Sequence, residues 1–269
     1  MLLEGKKLLI TGVLDPRSIA FAAARIAQEQ GAEVVLTGFG RGRRLTERAA
    51  KRLDPVPDVL ELDVTQPEQI TAVAADLQQR WGRLDGLLHA VGFAPASCLD
   101  GGFLTAPWED VATALHVSTY SYAALAAGLK DLLAVGPGAV VGLDFDAQVA
   151  WPGYDWMGVA KAGLESANRY LARDLGPHGI RVNLVAAGPL HTMAARSIGT
   201  ITAFEHLWTE RAPLGWDTRD PDPVGRTVCA LLSDWTPGVT GEVVHVDGGV
   251  HAMGGPVAPT DRAPDTPEG

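Results

Sequence analysis

Cysteine is scarce in this chain of 269 residues: Cys98 and Cys229 are the two present. They fit neither a disulfide framework nor a metal-ligand spacing, so no metal is expected and each reads as a reduced thiol. Long apolar runs are also missing, and nothing approaches the ~20 uninterrupted residues that cross a bilayer. Positive charge is in deficit: a formal net charge of −10 and a pI near 5.1 exclude nucleic acid and anionic membrane surfaces as expected partners. The opening MLLEGKKLLITG lacks the regions of a secretory signal and runs straight into a strand pattern. The expectation is a cytoplasmic protein with no membrane segment. No internal repeat is visible.

What is present is alternation. Short β-type apolar runs, namely Lys7 to Thr11, Glu33 to Thr37, Val59 to Val64, Leu87 to Val91, Ala139 to Leu143, Ile180 to Val185 and Glu242 to Val246, are separated mostly by helical patterns. In the first helical stretch Ile19, Ala22, Ala23, Ile26 and Ala27 recur at helix spacing, and Gly31 follows as a stop. Strands alternating with helices signal βαβ units. The expected fold is α/β: one Rossmann-type, doubly wound domain over residues 1–255, with seven parallel strands and helices on both faces. Its size allows burial of roughly three quarters of the unfolded surface in one core.

Two stretches break the rhythm. The interval from His191 to Asp222 carries Phe204 and Trp208 on a polar background punctuated by Gly and Pro, and its length reads as a substrate-covering flap. From Pro256 the chain is Pro-rich, acidic and aperiodic, and a disordered tail over 256–269 is expected.

After the first strand comes Thr11-Gly12-Val13-Leu14-Asp15-Pro16-Arg17-Ser18-Ile19-Ala20. A turn that opens a helix can hold a pyrophosphate on backbone N–H groups and the helix dipole. Only one glycine is present where the dinucleotide fingerprint has three, and Ser18 and Ile19 stand near the later glycines' places. Ser18 reads equally as a helix cap or a phosphate donor. No acid ends strand two; Phe39 can pack on an adenine, while Arg41, Arg43 and Arg44 can hold a 2′-phosphate or form a solvated face. Glu33 lies at the wrong end of the strand to serve a ribose. Asp63 and Val64 end strand three, and Ala90 and Gly92 end strand four, where a cofactor would lie.

The chemistry-bearing stretch is Asp144 to Ser166. Tyr154 and Lys161 are seven residues apart, about two helical turns, which places both on one helix face. One turn before Lys161 stands Met157, which has no proton to give.

With the Thr-Gly turn, the strand-four glycine, the Tyr and Lys, and Ala187-Gly188-Pro189, the chain resembles the short-chain dehydrogenase/reductase superfamily. SIAFAAARIAQEQGAEVVLTGF, DFD, YDWMGVAKAGLES, VNLVAAGPLHTMA, RAPLGW and CALLSDW are similar to its divergent branch of enoyl-acyl-carrier-protein reductases, the mycobacterial members above all. The resemblance runs from Leu3 to about Gly249. It implies reduction of a trans-2-enoyl thioester at C3 by NADH in fatty-acid biosynthesis, with NADPH left open by the arginines. Tyr154, Lys161 and the aromatic Phe145 are implied as catalytic. Leu190 and Thr192 join Gly12, Ser18, Ile19, Phe39, Asp63, Val64, Ala90, Gly92 and Lys161 as implied cofactor contacts, and Phe93, Met157 and Met193 as substrate contacts. Acyl-carrier protein is the implied partner and a homotetramer the implied assembly.

In the main branch the tyrosine stands four residues before the lysine, and here Met157 holds that place. An enoyl thioester takes hydride two bonds further from the carbonyl oxygen than a ketone does. A tyrosine moved three positions along a helix shifts by about 4.5 Å, which suits that longer acceptor. A ketoreductase is therefore the weaker alternative, and a silent NAD-binding regulator is the other. Compared with the mycobacterial members, the flap between Thr192 and Arg211 is shorter, which implies shorter acyl substrates, and His191 and Ala90 replace arginine and serine. For docking an acidic carrier, Arg196, Arg211 and Arg219 are the candidate basic patch.

Overall fold

The computed structural model of this chain describes residues 1–193 and 201–257, without the side chains of residues 201–203 and 205. Arg196 and most of the expected tail, from 258 onward, lie outside the described residues.

Seven strands form one parallel sheet in the order β3-β2-β1-β4-β5-β6-β7, with β1 Lys7–Ile10, β2 Glu33–Gly38, β3 Val59–Glu61, β4 Gly86–His89, β5 Ala139–Asp144, β6 Arg181–Ala187 and β7 Val243–Val246. The central strands bury both faces, which is why they read as continuous apolar runs rather than alternating ones. On one face α1 (Ile19–Glu29), α2 (Gly40–Ala50) and, from the far end of the chain, a helix at Asp222–Leu232 contribute Phe21, Ile26, Ala49 and Val228 to a core with Leu8, Ile10 and Val185. On the other, α3 (Pro67–Trp81) supplies Leu77, and two helices at Ser121–Gly128 and Asp155–Leu175 supply Leu125 and Leu164, packed on Leu9, Leu87 and Val182.

The helices between β4 and β5 are α4 (Trp108–Leu115), α5 (Ser121–Gly128), joined to α4 by a π-helical turn at His116–Tyr120, and α6 (Lys130–Leu133). The long helix after β5 is α7 (Asp155–Leu175); α8 (Ile201–Arg211) and α9 (Asp222–Leu232) follow β6. Among the described residues no helix is long and apolar enough to cross a membrane.

Strand order reverses between β1 and β4, so the crevice at their carboxyl ends is where a ligand binds in sheets of this kind. Thr11 stitches that point: its N–H and hydroxyl both donate to the Leu88 carbonyl, at 3.0 and 3.1 Å, and its Oγ1 accepts the Ala90 N–H at 2.9 Å.

The interval after β6 differs from the loop expected. Phe204 and Trp208, 4% and 3% exposed, lie one turn apart on α8 and are buried instead of lying on a polar flap. Apolar residues at positions 201, 204, 207 and 208 carry the helical period that the flanking Gly and Pro obscure.

Candidate active site

Gly12 follows Thr11 with φ +76, a left-handed conformation that costs glycine nothing. A Cβ there would sit 2.0 Å from the Ala90 carbonyl oxygen, so a single glycine suffices to let the two strand ends close. Ser18 caps α1: its Oγ accepts the Phe21 N–H at 3.2 Å and donates to the Asp15 carbonyl at 2.8 Å. The cap takes up the hydroxyl proton, and the anion donors at this turn are the first N–H groups of α1, Ile19 among them, which have no intrahelical acceptor. Arg17 pairs with Asp15 and, with Leu190, His191, Thr218, Arg219 and Pro221, lines a cavity of about 300 Å³ beside the turn. Leu190 is at the same time packed in the core. Thr192 and Met193 follow, half-buried.

At the adenosine end, Phe39 is half exposed and precedes α2. Of the arginines there, Arg41 and Arg44 are exposed, while Arg43 is engaged. Arg43 donates to Glu47 at 3.0 Å and to Glu61 at 2.9 Å, and Glu61 also accepts the Gly40 N–H at 3.1 Å. The Arg43 guanidinium holds the Glu61 carboxyl below its usual range. Glu61, at the end of β3, thus stands beside the end of β2, brought there by the pairing of Gly38 with Glu61. Glu33 is engaged elsewhere, with Lys7 and the Trp81 indole at the opposite end of the sheet. Asp63 turns the chain by accepting the Thr65 N–H and hydroxyl on Oδ1, at 3.0 and 2.7 Å. The Val64 side chain belongs to the core, which leaves only its backbone to meet an adenine.

Beyond β4, the Ser118 hydroxyl accepts the Phe93 N–H and donates to the Phe93 carbonyl, each at 2.9 Å, and so fixes the Gly92 segment. A Cβ on Gly92 would meet nothing nearer than Ser118 Oγ at 3.9 Å, an ordinary contact, so crowding does not demand a glycine here. Ala90 is partly buried against the core, and Phe93 is half exposed.

The Tyr154–Lys161 spacing meets a correction. Tyr154 caps α7 from outside, and Asp155 has φ +40, so the path between the two residues is not one unbroken helix. Tyr154 still joins the helix through its carbonyl, which accepts the Met157 N–H at 2.9 Å. The left-handed step is tied down from the β4–α4 connection, where Gly101 N–H donates to Asp155 Oδ2 at 2.6 Å and Asp100 N–H donates to the Gly153 carbonyl at 3.0 Å.

Tyr154 and Met157 are buried in one cluster with Phe145 and Trp151. Phe145 stands 5.1 Å from Tyr154, centroid to centroid, 5.4 Å from Trp151, 5.5 Å from Phe204 and 5.8 Å from Trp208. Trp151 is fixed by its indole N–H donating to the Asp146 carbonyl at 2.6 Å. Gly188, at the end of β6, admits Trp208 and Trp216, whose ring atoms would lie 2.7 Å from any Cβ there. An aromatic wall therefore closes one side of the Tyr154 site. Trp151 is not among the candidates read from sequence, and Trp208 enters there only as part of the flap; their proximity depends on the loop that doubles back after β5.

Burial drives the electrostatics. It pushes the Tyr154 hydroxyl well above the ordinary phenol value, with Asp144 adding to the effect, so the phenol keeps its proton as a donor. Burial lowers Lys161, whose ammonium donates to the Leu143 carbonyl at 2.8 Å and lies 4.0 Å from Asp144 Oδ1. Burial raises Asp144 to about 7 and lowers His89 to about 3, the latter helped by the Lys161 charge. Arg211 is not part of an exposed basic patch: it is turned inward, donating to the Met253 carbonyl. Arg219 is exposed.

A family model described as enoyl-(acyl carrier protein) reductase matches residues 12–251. An enoyl-[acyl-carrier-protein] reductase [NADH] of Mycolicibacterium smegmatis is 47% identical over 262 residues, covering 92% of this chain and 97% of that protein. One from Mycobacterium avium is 44% identical, with 92% and 97% covered. One from Aquifex aeolicus is 40% identical, with 94% of each covered.

Proposed function

Because this chain belongs to the enoyl-(acyl carrier protein) reductase family, we propose that it reduces a trans-2-enoyl thioester held on acyl carrier protein, with NADH, in fatty-acid biosynthesis. The observation that carries the reading is Tyr154, buried and protonated beside Phe145, with Lys161 seven residues on at the end of β5. Met157, at the one-turn position before Lys161, is buried with Tyr154 and offers no proton, which speaks against ketone reduction.

The residues suit a nicotinamide dinucleotide. Its cradle is the Gly12–Ala90 closure, the Gly92 backbone and the first turn of α1. Lys161 would hold the nicotinamide ribose, and Glu61 the adenosine ribose. A carboxylate at that place repels a 2′-phosphate, and with Arg43 already paired the balance favours NADH. NADH, when bound, supplies the hydride that reduces C3. Tyr154 donates its hydroxyl hydrogen bond to the thioester carbonyl oxygen, where negative charge gathers as C3 is reduced, an oxyanion role. The Lys161 ammonium adds a positive field to the same charge. C2 then takes a proton from Tyr154 or water, so that one hydride and one proton saturate the double bond. Phe145 confines the reacting carbons beside Tyr154.

The aromatic wall of Phe145, Trp151, Phe204 and Trp208 favours short acyl chains. Carrier docking falls to Arg219 and Arg17, which flank one cavity on an otherwise acidic protein. The assembly is a cytoplasmic homotetramer. An apolar groove on α4, α5 and α7, lined by Leu115, Thr119, Tyr120, Ala123 and Ala167 with Tyr120 61% exposed, offers a self-complementary face for two-fold pairing.

The test is NADH oxidation by the pure protein with a 2-enoyl thioester. Tyr154→Phe should lower kcat, and Lys161→Ala should abolish NADH binding. No turnover with enoyl thioesters, together with turnover of 3-ketoacyl thioesters, would overturn the reading.

A further inference from the structure

Asp144 ends β5 with its side chain fully buried, and neither carboxylate oxygen has a hydrogen-bond partner. Such a group is costly: burial of a carboxylate without donors disfavours its charged form, and an apolar residue of like size would be cheaper. The acids nearby make it worse, since Asp146 and Glu165 both repel it. Glu165 is held one turn beyond Lys161 on α7, accepting the Ala147 N–H at 3.1 Å. Neither His89 on β4 nor Tyr122 on α5 hydrogen-bonds to it; His89 is bonded to Ser121, and Tyr122 to Asn168 and Asn183. The larger attraction is Lys161, 4.0 Å away, with the Phe145 backbone N–H adding a smaller one, and among the described residues no other carboxylate lies within that distance of the ammonium.

The relation reads more clearly from the lysine. Its ammonium has left water; the Leu143 carbonyl replaces one hydrogen bond, and Asp144 is the opposite charge that offsets the rest of the lost hydration. An opposite charge within ~4–6 Å favours the charged form by one to three pK units.

We propose that Asp144 is a positioning residue: its negative charge keeps Lys161 protonated and aimed across the end of β5, where the lysine holds the cofactor ribose. The proposal rests on the cofactor role given to Lys161 above. It explains why a carboxylate that burdens the fold occupies this place. Its effect needs the ionised carboxylate and so operates above about pH 7.

The experiment is direct NADH binding by the whole protein, followed by calorimetry across about pH 6 to 10, with Asp144→Asn and Asp144→Glu. Asparagine matches the shape without the charge, and circular dichroism checks folding; Asp144→Ser replaces it if that variant does not fold. The expected result is equal affinity below about pH 7, and above it an alkaline loss of binding that comes one to three pH units earlier in the neutral variants, with the glutamate variant restored toward wild type. An unchanged alkaline limb in the neutral variants, or weakening equal at every pH, overturns the proposal. Wild-type protein that binds NADH but turns over no enoyl thioester overturns the proposed reaction and leaves this test readable; protein that does not bind NADH overturns both.

Discussion

Asp155 Oδ2 accepts the Gly101 N–H at 2.6 Å, and through this bond the β4–α4 connection holds the left-handed step that sets Tyr154 off the axis of α7. A residue other than glycine in that conformation costs on the order of 1 kcal/mol, and aspartate tolerates it better than most. Asp155→Ala loses the tether and keeps the backbone cost. The phenol then has more than one orientation to adopt, so kcat should fall roughly tenfold or more with the Kd for NADH unchanged, since Lys161 is untouched. Steady-state kinetics beside a binding isotherm checks this. An equal fall in NADH affinity would show that the tether serves the whole site.

Gly12→Ala adds a methyl 2.0 Å from the Ala90 oxygen at φ +76. Relief requires β1 and β4 to part at the switch point. We expect a loss of about 2 kcal/mol or more, a Tm lower by roughly 4–8 °C, and NADH affinity down at least tenfold. Thermal unfolding with and without NADH measures both; an unaltered Tm would place the turn elsewhere.

Much of this was legible in the chain. Strands buried on both faces announce themselves as unbroken runs such as Leu87-Leu88 or Val140-Val141, and a parallel order follows from the helices between them. Tyr154 and Lys161 are found because spacing on a helix is local. What was not legible depends on register or on backbone angle. Glu61 reaches the adenosine end only because Gly38 pairs with it across β2 and β3. The positive φ of Asp155 is set by a loop some fifty residues upstream, and the aromatic wall needs β5, its following loop and α8 together. Phe204 and Trp208 carried a helical signal, hidden by the punctuation around it.

Glu61→Gln tests cofactor choice. The substitution removes the charge that would oppose a 2′-phosphate while leaving a hydrogen-bonding group near Gly40. Two unit charges ~4 Å apart in water interact by ~1 kcal/mol, so the ratio of kcat/KM for NADPH to that for NADH should rise roughly fivefold. No change in that ratio would remove Glu61 from the ribose site.

Trp151→Ala opens the aromatic wall. Trp151 packs on Phe145, Phe204 and Trp208 at 5.4, 5.9 and 5.3 Å, so its loss leaves a gap beside the reacting position. The variant should accept longer enoyl chains, with its best kcat/KM displaced toward them, at a cost in stability of about 3 kcal/mol, the low end for a tryptophan because Trp151 is only partly buried. A chain-length profile of wild type and variant decides it. An unshifted profile would mean that the acyl chain leaves Tyr154 by another side.

Stability against pH should show two buried groups acting in opposite senses. His89, held to about 3 by burial, stays neutral in the fold while its unfolded form takes a proton near 6.5. Its contribution is present above that value and is lost as pH falls. Asp144, raised to about 7, binds its proton more tightly folded than unfolded, so stability falls as pH rises from about 4 through 7. Each is worth on the order of 4 kcal/mol at most, and over their shared range they offset each other. Asp144→Asn removes one side. Above about pH 7 the variant should be more stable than wild type by up to that amount, the gap closing toward pH 4, and its acid sensitivity should steepen because His89 acts unopposed. Denaturant unfolding at intervals across this range measures the gap; a gap that kept widening well above pH 7 would mean that Asp144 stays neutral in the fold, and would remove the charge on which its proposed hold over Lys161 depends, whereas a gap that did not change with pH would mean that Asp144 binds its proton no more tightly folded than unfolded.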